Sequence, residues 1–316
     1  MRGKPIVLAT RGSALALAQT NLVLALCREK LPALAFSVKI IKTSGDKLQA
    51  ASLARPPAAL PKGLFTKELE AALLKGRADL AVHSLKDLPT DLPEGLILGA
   101  VAGRRADVRD VLIYKQPLPP RLKLAALPHG LTVATSSTRR KAQLLALRPD
   151  FKVIDIRGNV ATRLRKLAQL PGTDATILAA AGLARLDFRI SDEGRLTGPE
   201  VPDGLLAVIL ETEEMLPCVG QAAIGLEIRA HDARLAAVCR ELNDEATFQC
   251  VTAERAFLRA MGGGCQTPVG ACATLEGTEL LLRAVSFLRE KVQRAEARAA
   301  ASDAAALGAR VAGQLK

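Results

Sequence analysis

Cys265 follows three glycines, Gly262, Gly263 and Gly264, and precedes Gln266-Thr267-Pro268. A thiol becomes a nucleophile as its thiolate, and glycines let backbone come close to a bound group. The segment therefore reads either as a tether for a covalently held group or as a small residue in an ordinary turn. A second chemically capable pair is Lys86-Asp87, inside His83-Ser84-Leu85-Lys86-Asp87-Leu88-Pro89. Such neighbours are usually a solvated ion pair; at the mouth of a cleft they would supply an anion anchor and a carboxylate able to hold or shuttle a proton. Arginines recur just past short apolar runs: Arg11, Arg139, Arg140, Arg157, Arg163 and Arg185. Each alone reads as a surface residue. Gathered at one sheet edge, they would hold an anion.

These residues need elements to position them. Residues 6–9 are apolar, Thr10-Arg11-Gly12-Ser13 is a turn, and residues 14–30 are rich in Ala and Leu. The pattern predicts a strand, a tight turn and a helix capped by Ser13. That turn aims N–H groups and a helix dipole at whatever lies beyond the strand. Residues 36–40 alternate like a strand. Residues 50–62, with three prolines, read as a surface loop or lid, directly before Phe65, and Thr66 is predicted to cap a helix through residue 75. A buried strand over residues 80–82 then delivers Lys86-Asp87.

The opening pattern returns at residues 131–147: a strand, the turn Thr135-Ser136-Ser137, and a helix with Arg139 and Arg140 in its first turn. Two cations there oppose the dipole, at a cost of a few tenths of a kcal/mol each unless an anion faces them. Strands over residues 151–156 and 174–179 extend the same parallel sheet, residues 191–204 read as an irregular insertion, and residues 205–210 as a further strand. A helix from about residue 244 carries Glu254, Arg255 and Phe257 toward the glycines. Alternation over residues 269–275, 279–286 and 288–294 predicts a small antiparallel sheet, closed by a helix over 300–315.

With 316 residues the chain is long enough for two or three domains. A formal charge of +12 points to polyanions, while 3% aromatics and the absence of Trp disfavour stacking on nucleic-acid bases. Six cysteines without a CxxC pair, beside three histidines, argue against a metal site and a disulfide framework. No apolar run reaches membrane-spanning length, and the N-terminus leads into a strand rather than a signal peptide, so a cytoplasmic location is expected.

In their shared order, Ala9-Thr10-Arg11-Gly12-Ser13, Lys62-Gly63-Leu64-Phe65, Ala81-Val82-His83-Ser84-Leu85-Lys86-Asp87-Leu88-Pro89, Thr135-Ser136-Ser137-Thr138-Arg139-Arg140, Arg157-Gly158-Asn159-Val160, Ala181-Gly182-Leu183 with Arg185-Leu186, and Gly263-Gly264-Cys265-Gln266 closely resemble the porphobilinogen deaminase (hydroxymethylbilane synthase) family. The resemblance spans nearly the whole chain. It implies an α/β fold: two similar periplasmic-binding-protein-like α/β domains plus a smaller α+β C-terminal domain with an antiparallel sheet. Domain 1 would take residues 1–104 and 221–241, domain 2 residues 105–220, and domain 3 residues 242–316.

The resemblance also implies a transferase of tetrapyrrole and heme biosynthesis that joins four porphobilinogen molecules head to tail, releasing ammonia, and hydrolyses the product free as hydroxymethylbilane. Its cofactor is one covalent dipyrromethane per chain, built from two porphobilinogen units, with Cys265 at the matching thioether position. Asp87 matches the catalytic carboxylate. Lys86, Arg139, Arg140, Ser137 and Ser84 match the cofactor-binding set, and Arg11, Ser13, Arg157, Arg163, Arg185 and Phe65 the substrate-binding set. No metal, nucleic acid or membrane is implied; a monomer is, with transient hand-off of product to uroporphyrinogen-III synthase. The residues also leave open a non-catalytic anion-binding protein or a nucleic-acid binder. Three departures stand out: the Pro/Ala-rich run 55–61, Ala222 where the family commonly has Gly, which is expected to stiffen the connection, and a long segment over 187–216.

Overall fold

The computed structural model of the chain describes residues 4–45, 64–264 and 266–316. The expected lid over 50–62 and Cys265 itself lie outside the described residues. In chain order the first half contains β1 (Ile6–Arg11), α1 (Ala14–Lys30), β2 (Phe36–Ile41), α2 (Lys67–Leu74), β3 (Leu80–Ser84), β4 (Leu96–Val101) and β5 (Asp110–Lys115). Next come β6 (Thr132–Ala134), α3 (Thr138–Leu147), β7 (Lys152–Ile154), α4 (Val160–Gln169), β8 (Ala175–Ala179) and α5 (Ala180–Ala184). The rest is β9 (Arg189–Ile190), β10 (Leu196–Thr197), β11 (Leu205–Leu210), β12 (Ile224–Arg229), α6 (Ala233–Leu242), α7 (Glu245–Ala260), β13 (Val269–Glu276), β14 (Glu279–Ser286), β15 (Gln293–Ala300) and α8 (Ala304–Gly313).

Two five-stranded sheets share one plan. The first runs β2-β1-β3-β12-β4 and the second β7-β6-β8-β5-β11. In each, the first three strands are parallel and the fourth is reversed. The second sheet is thus mixed rather than parallel throughout. In each sheet the reversed strand is the one the chain enters on crossing from its neighbour, through residues 102–109 into β5 and through 211–223 into β12.

Strands buried on both faces are continuous apolar runs. Ile6, Leu8, Val82, Leu226 and Ile228 pack against Val23 and Cys27 of α1 and Leu235 and Val238 of α6. In the second sheet Leu112, Tyr114 and Ile177 face one core, with Val111, Ile113 and Leu178 in the other. The third unit is the antiparallel sheet β13-β14-β15, covered by α7 and α8 through Phe257, Leu280, Leu282, Leu307 and Val311. The expected pair of similar α/β units and the smaller α+β unit are all present.

Details differ from expectation. Strand β15 runs over Gln293–Ala300 rather than 288–294, because Ala295, Ala297 and Ala299 alternate with Arg294, Glu296 and Arg298 and turn inward onto the core. Residues 191–204 include β10, which pairs antiparallel with β9. Thr66 precedes α2 without a side-chain cap bond; its backbone is already helical, so its hydroxyl is not aimed at the N–H groups it would cap.

Candidate active site

The parallel strands of the first sheet end in turns that converge. Ser13, after β1, caps α1 by accepting from Ala16 N at 3.3 Å. Arg11 at the end of β1 lays its guanidinium over the Phe65 ring, 4.1 Å from the centroid. Strand β3 ends at Ser84, and one 3-10 turn, Leu85–Asp87, presents Lys86 and Asp87. Arg11, Ser13, Phe65, Ser84 and Asp87 line one small cleft, a cavity of about 60 Å³, together with Gln19 and His83. The segment after Asp87 is clamped by the C-terminal unit: Arg255 donates to the carbonyls of Leu88, Pro89 and Thr90, and Arg259 to that of Thr90.

The second sheet contributes further cations, of which Arg163 feels the charge of Asp87. Ser137 caps α3 by accepting from Arg140 N at 3.4 Å. Arg139 and Arg140, in that first turn, meet an internal anion: Asp110 at the start of β5, at 2.8 and 2.7 Å. All three are buried, and Gln221 donates to the same carboxylate at 2.9 Å. Despite burial, which alone would raise it, the two guanidiniums hold the Asp110 carboxyl far below its ordinary value. The dipole misfit read from the sequence is therefore met in part by Asp110.

Arg163 on α4 donates to Gly158 O at 2.8 Å, and Arg185 after α5 donates to Ala222 O at 2.5 Å. Burial pushes both down to about 10; for Arg163 the charge of Arg140 acts the same way and that of Asp87 against it. Among the described residues neither has an ion pair. Burial likewise pushes the Lys86 amine down, opposed by Asp87 and reinforced by Arg140. Arg157 is exposed, and its carbonyl accepts from Lys166. So Lys86, Arg140 and Arg163 lie within electrostatic reach of Asp87 or of one another, and Arg11 is the arginine that lines the small cleft itself.

Cys265 lies outside the described residues, but its flanks are anchored. Gly264 N donates to Thr267 Oγ1 at 3.1 Å, and Thr138 Oγ1, at the start of α3, donates to Gln266 O at 2.8 Å. The glycine turn is thereby tied to the end of the second sheet that carries the arginines. Four other cysteines are buried, which pushes the thiols of Cys27 and Cys250 up to about 11 and those of Cys239 and Cys272 up to about 12. Such thiols are inert at neutral pH. Cys218, half-buried, is also raised by burial and sits in the fields of Arg139, Lys86 and Asp87.

This donor set suits a polycarboxylate: under-compensated cations around one carboxylate, on facing elements. A family model described as "Porphobilinogen deaminase, dipyromethane cofactor binding domain" matches residues 6–237, and "Porphobilinogen deaminase, C-terminal domain" matches residues 248–316. The chain belongs to the porphobilinogen deaminase family. A porphobilinogen deaminase from Roseiflexus sp. (strain RS-1) is 46% identical over 98% of this chain and 95% of its own length. One from Moorella thermoacetica is 47% identical over 88% and 82%. In backbone course the chain is also similar to the periplasmic aliphatic sulphonate binding protein SsuA of Escherichia coli, at 14% identity, 82% and 71% coverage and a TM-score of 0.42.

Membership makes the chain a porphobilinogen deaminase-type transferase of tetrapyrrole biosynthesis, with a dipyrromethane cofactor and porphobilinogen as substrate. Among the described residues no helix is long and apolar enough to cross a membrane. Sequence reasoning missed Gln19, in the cleft wall, and Asp110, the partner of Arg139 and Arg140, as parts of the site. Gln19 and Asp110 had a readable signal: each is polar within or at the start of an otherwise apolar element that must be buried.

Proposed function

We propose that the chain joins porphobilinogen units head to tail, four per product, on a dipyrromethane attached through Cys265, with Asp87 as the catalytic carboxylate. The supporting observation is Asp87 in the wall of a cleft that Arg11 also lines, within electrostatic reach of Lys86 and of Arg163, which has no ion-pair partner among the described residues. Every porphobilinogen unit carries an acetate and a propionate, so each addition brings anions that Arg11, Ser13, Arg157, Arg163 and Arg185 bind, with Phe65 packing beneath Arg11. Lys86, Arg139, Arg140, Ser84 and Ser137 hold the cofactor's carboxylates. When bound, the dipyrromethane supplies the free pyrrole carbon to which the first unit is joined.

Loss of ammonia leaves the substrate's methylene carbon electrophilic and its pyrrole nitrogen cationic. Asp87 stabilises that charge through its carboxylate oxygens and then accepts the proton released as the new C–C bond forms. The surrounding arginines would repel a cationic ring, so this single carboxylate sets where the charge develops.

The same reading takes the domains as 1–104 with 221–241, 105–220 and 242–316. It makes the protein a cytoplasmic monomer that passes hydroxymethylbilane transiently to uroporphyrinogen-III synthase. The deciding experiment is the intact mass of protein purified without added substrate. An excess equal to two porphobilinogen units less two ammonia molecules, lost in Cys265→Ser, is expected. A chain that stays unmodified after incubation with porphobilinogen would return Cys265 to the role of a turn residue.

A further inference from the structure

Behind the cleft, two titratable side chains that hold no substrate carboxylate pair inside the first sheet, and a third, on α2, is buried within reach of their charge. Glu227 on β12 is fully buried, and its Oε2 lies at hydrogen-bond distance, 2.9 Å, from His83 Nε2. Antiparallel pairing sets Glu227 opposite Ala81, so His83, two residues along β3, shares its face. The other oxygen, Glu227 Oε1, is buried without a partner. Glu70 on α2 is buried nearby; burial pushes its carboxyl up, and the charge of Glu227 pushes the same way. Gln19 is 2% exposed: its Oε1 accepts from Ser84 Oγ at 2.9 Å, and its Nε2 is an unpartnered donor.

Gln19, Ser84, His83 and Asp87 all line the same small cavity. A volume of about 60 Å³ bordered by unpartnered polar atoms is a place for bridging water. The other charges acting on the group are Arg11 in the cleft wall, Lys67 on Glu70, and Arg255 of α7, which feels Glu227. Carboxyl and imidazole groups placed beside a water-sized cavity are of the types that take up and give back protons.

We propose that His83, Glu227 and Glu70 form a proton store behind Asp87, reached through water in the cavity that Gln19 and Ser84 line. The proposal rests on the reading of Asp87 as the proton acceptor. In each condensation the C–N bond breaks and ammonia leaves with the bonding pair. The new C–C bond forms, and the pyrrole carbon gives up one proton to Asp87. The store takes that proton from Asp87 and delivers it to the amine of the next porphobilinogen, so that this nitrogen in turn leaves as neutral ammonia. Charge and atoms balance with no other reactant. Of these four residues Asp87 alone touches substrate; His83, Glu227 and Glu70 are positioning residues that reset it.

The test uses the holoenzyme and Glu227→Gln, which keeps the shape and an acceptor for His83 but removes the exchangeable charge. The expected result is a kcat about tenfold lower with KM unchanged, partly restored as imidazole or formate buffer concentration rises. In parallel, the His83 ring, one of three histidines, is followed by NMR, and its titration midpoint is expected to move in Asp87→Asn. A native kcat in folded Glu227→Gln, or a loss insensitive to buffer with a His83 signal indifferent to Asp87→Asn, overturns the proposal. Should Glu227→Gln fail to fold, Glu70→Gln carries the same measurements and outcomes. Full turnover in Asp87→Ala would instead sink the underlying reading of Asp87, which keeps the two failures distinct.

Discussion

Glu254 grips Arg105 with both carboxylate oxygens, at 2.6 and 3.0 Å, where the two crossovers meet the C-terminal unit. The same carboxylate accepts from Gly220 N at 2.8 Å in the second crossover and from Ala273 N at 2.9 Å in β13. Arg105 in turn donates to Gln221 O at 2.9 Å. A buried charge with this many partners is costly to orphan. Glu254→Gln is expected to lower unfolding free energy by about 3 kcal/mol, read as a drop in the urea midpoint. An unchanged midpoint would show that the junction is held by packing alone.

Asp110 makes a pH-dependent contribution whose sign is fixed. Its carboxyl lies far below the ordinary 3.8, so the paired form is fully stabilising above about pH 4 and the stabilisation is lost as pH falls below that. Asp110→Asn should therefore lose about 3 kcal/mol at pH 7 and flatten the stability–pH slope on the acid side. Urea titrations between pH 3 and 7 measure both, and a parallel acid slope in the variant would refute the assignment.

Ala222 sits at φ +70, a left-handed conformation that penalises any Cβ, and it is nearly buried. Ala222→Gly removes that strain and should raise stability by about 1 kcal/mol, even after the greater chain entropy of glycine is counted. The connection is strained rather than merely stiff. A lower urea midpoint in the glycine variant would contradict this.

For chemistry, Asp87→Ala is expected to abolish turnover with the fold intact, since no other described carboxylate lines the cleft. Porphobilinogen consumption and far-UV circular dichroism, recorded on the same preparation, test it. Native turnover in the folded variant would remove Asp87 from the mechanism.

The strand ends were legible because apolar runs stop at polar turns: Arg11, Ser13, Ser84, Lys86 and Asp87 were all placed by that rule, and the repeat around Thr135-Ser136-Ser137 exposed the second sheet. What escaped was pairing across the fold. That Arg139 and Arg140 share Asp110 depends on β5 lying beside β8, and no local spacing encodes that neighbour relation. Glu227 likewise meets His83 across 144 residues of chain. Strand β15 was misplaced because alanine, its inward residue, favours helices when read locally and becomes a strand residue only against the core it covers.

The exchanged strands also order events during synthesis. The first sheet is begun by residue 6 but needs β12 between β3 and β4, and β12 ends at residue 229. By then the second sheet, complete at residue 210, has already been made. A ribosome therefore delivers a finished second lobe while the first still exposes the flanks of β3 and β4. The half of the enzyme that carries Asp87 closes only after the half that carries Arg139, Arg140 and Arg163.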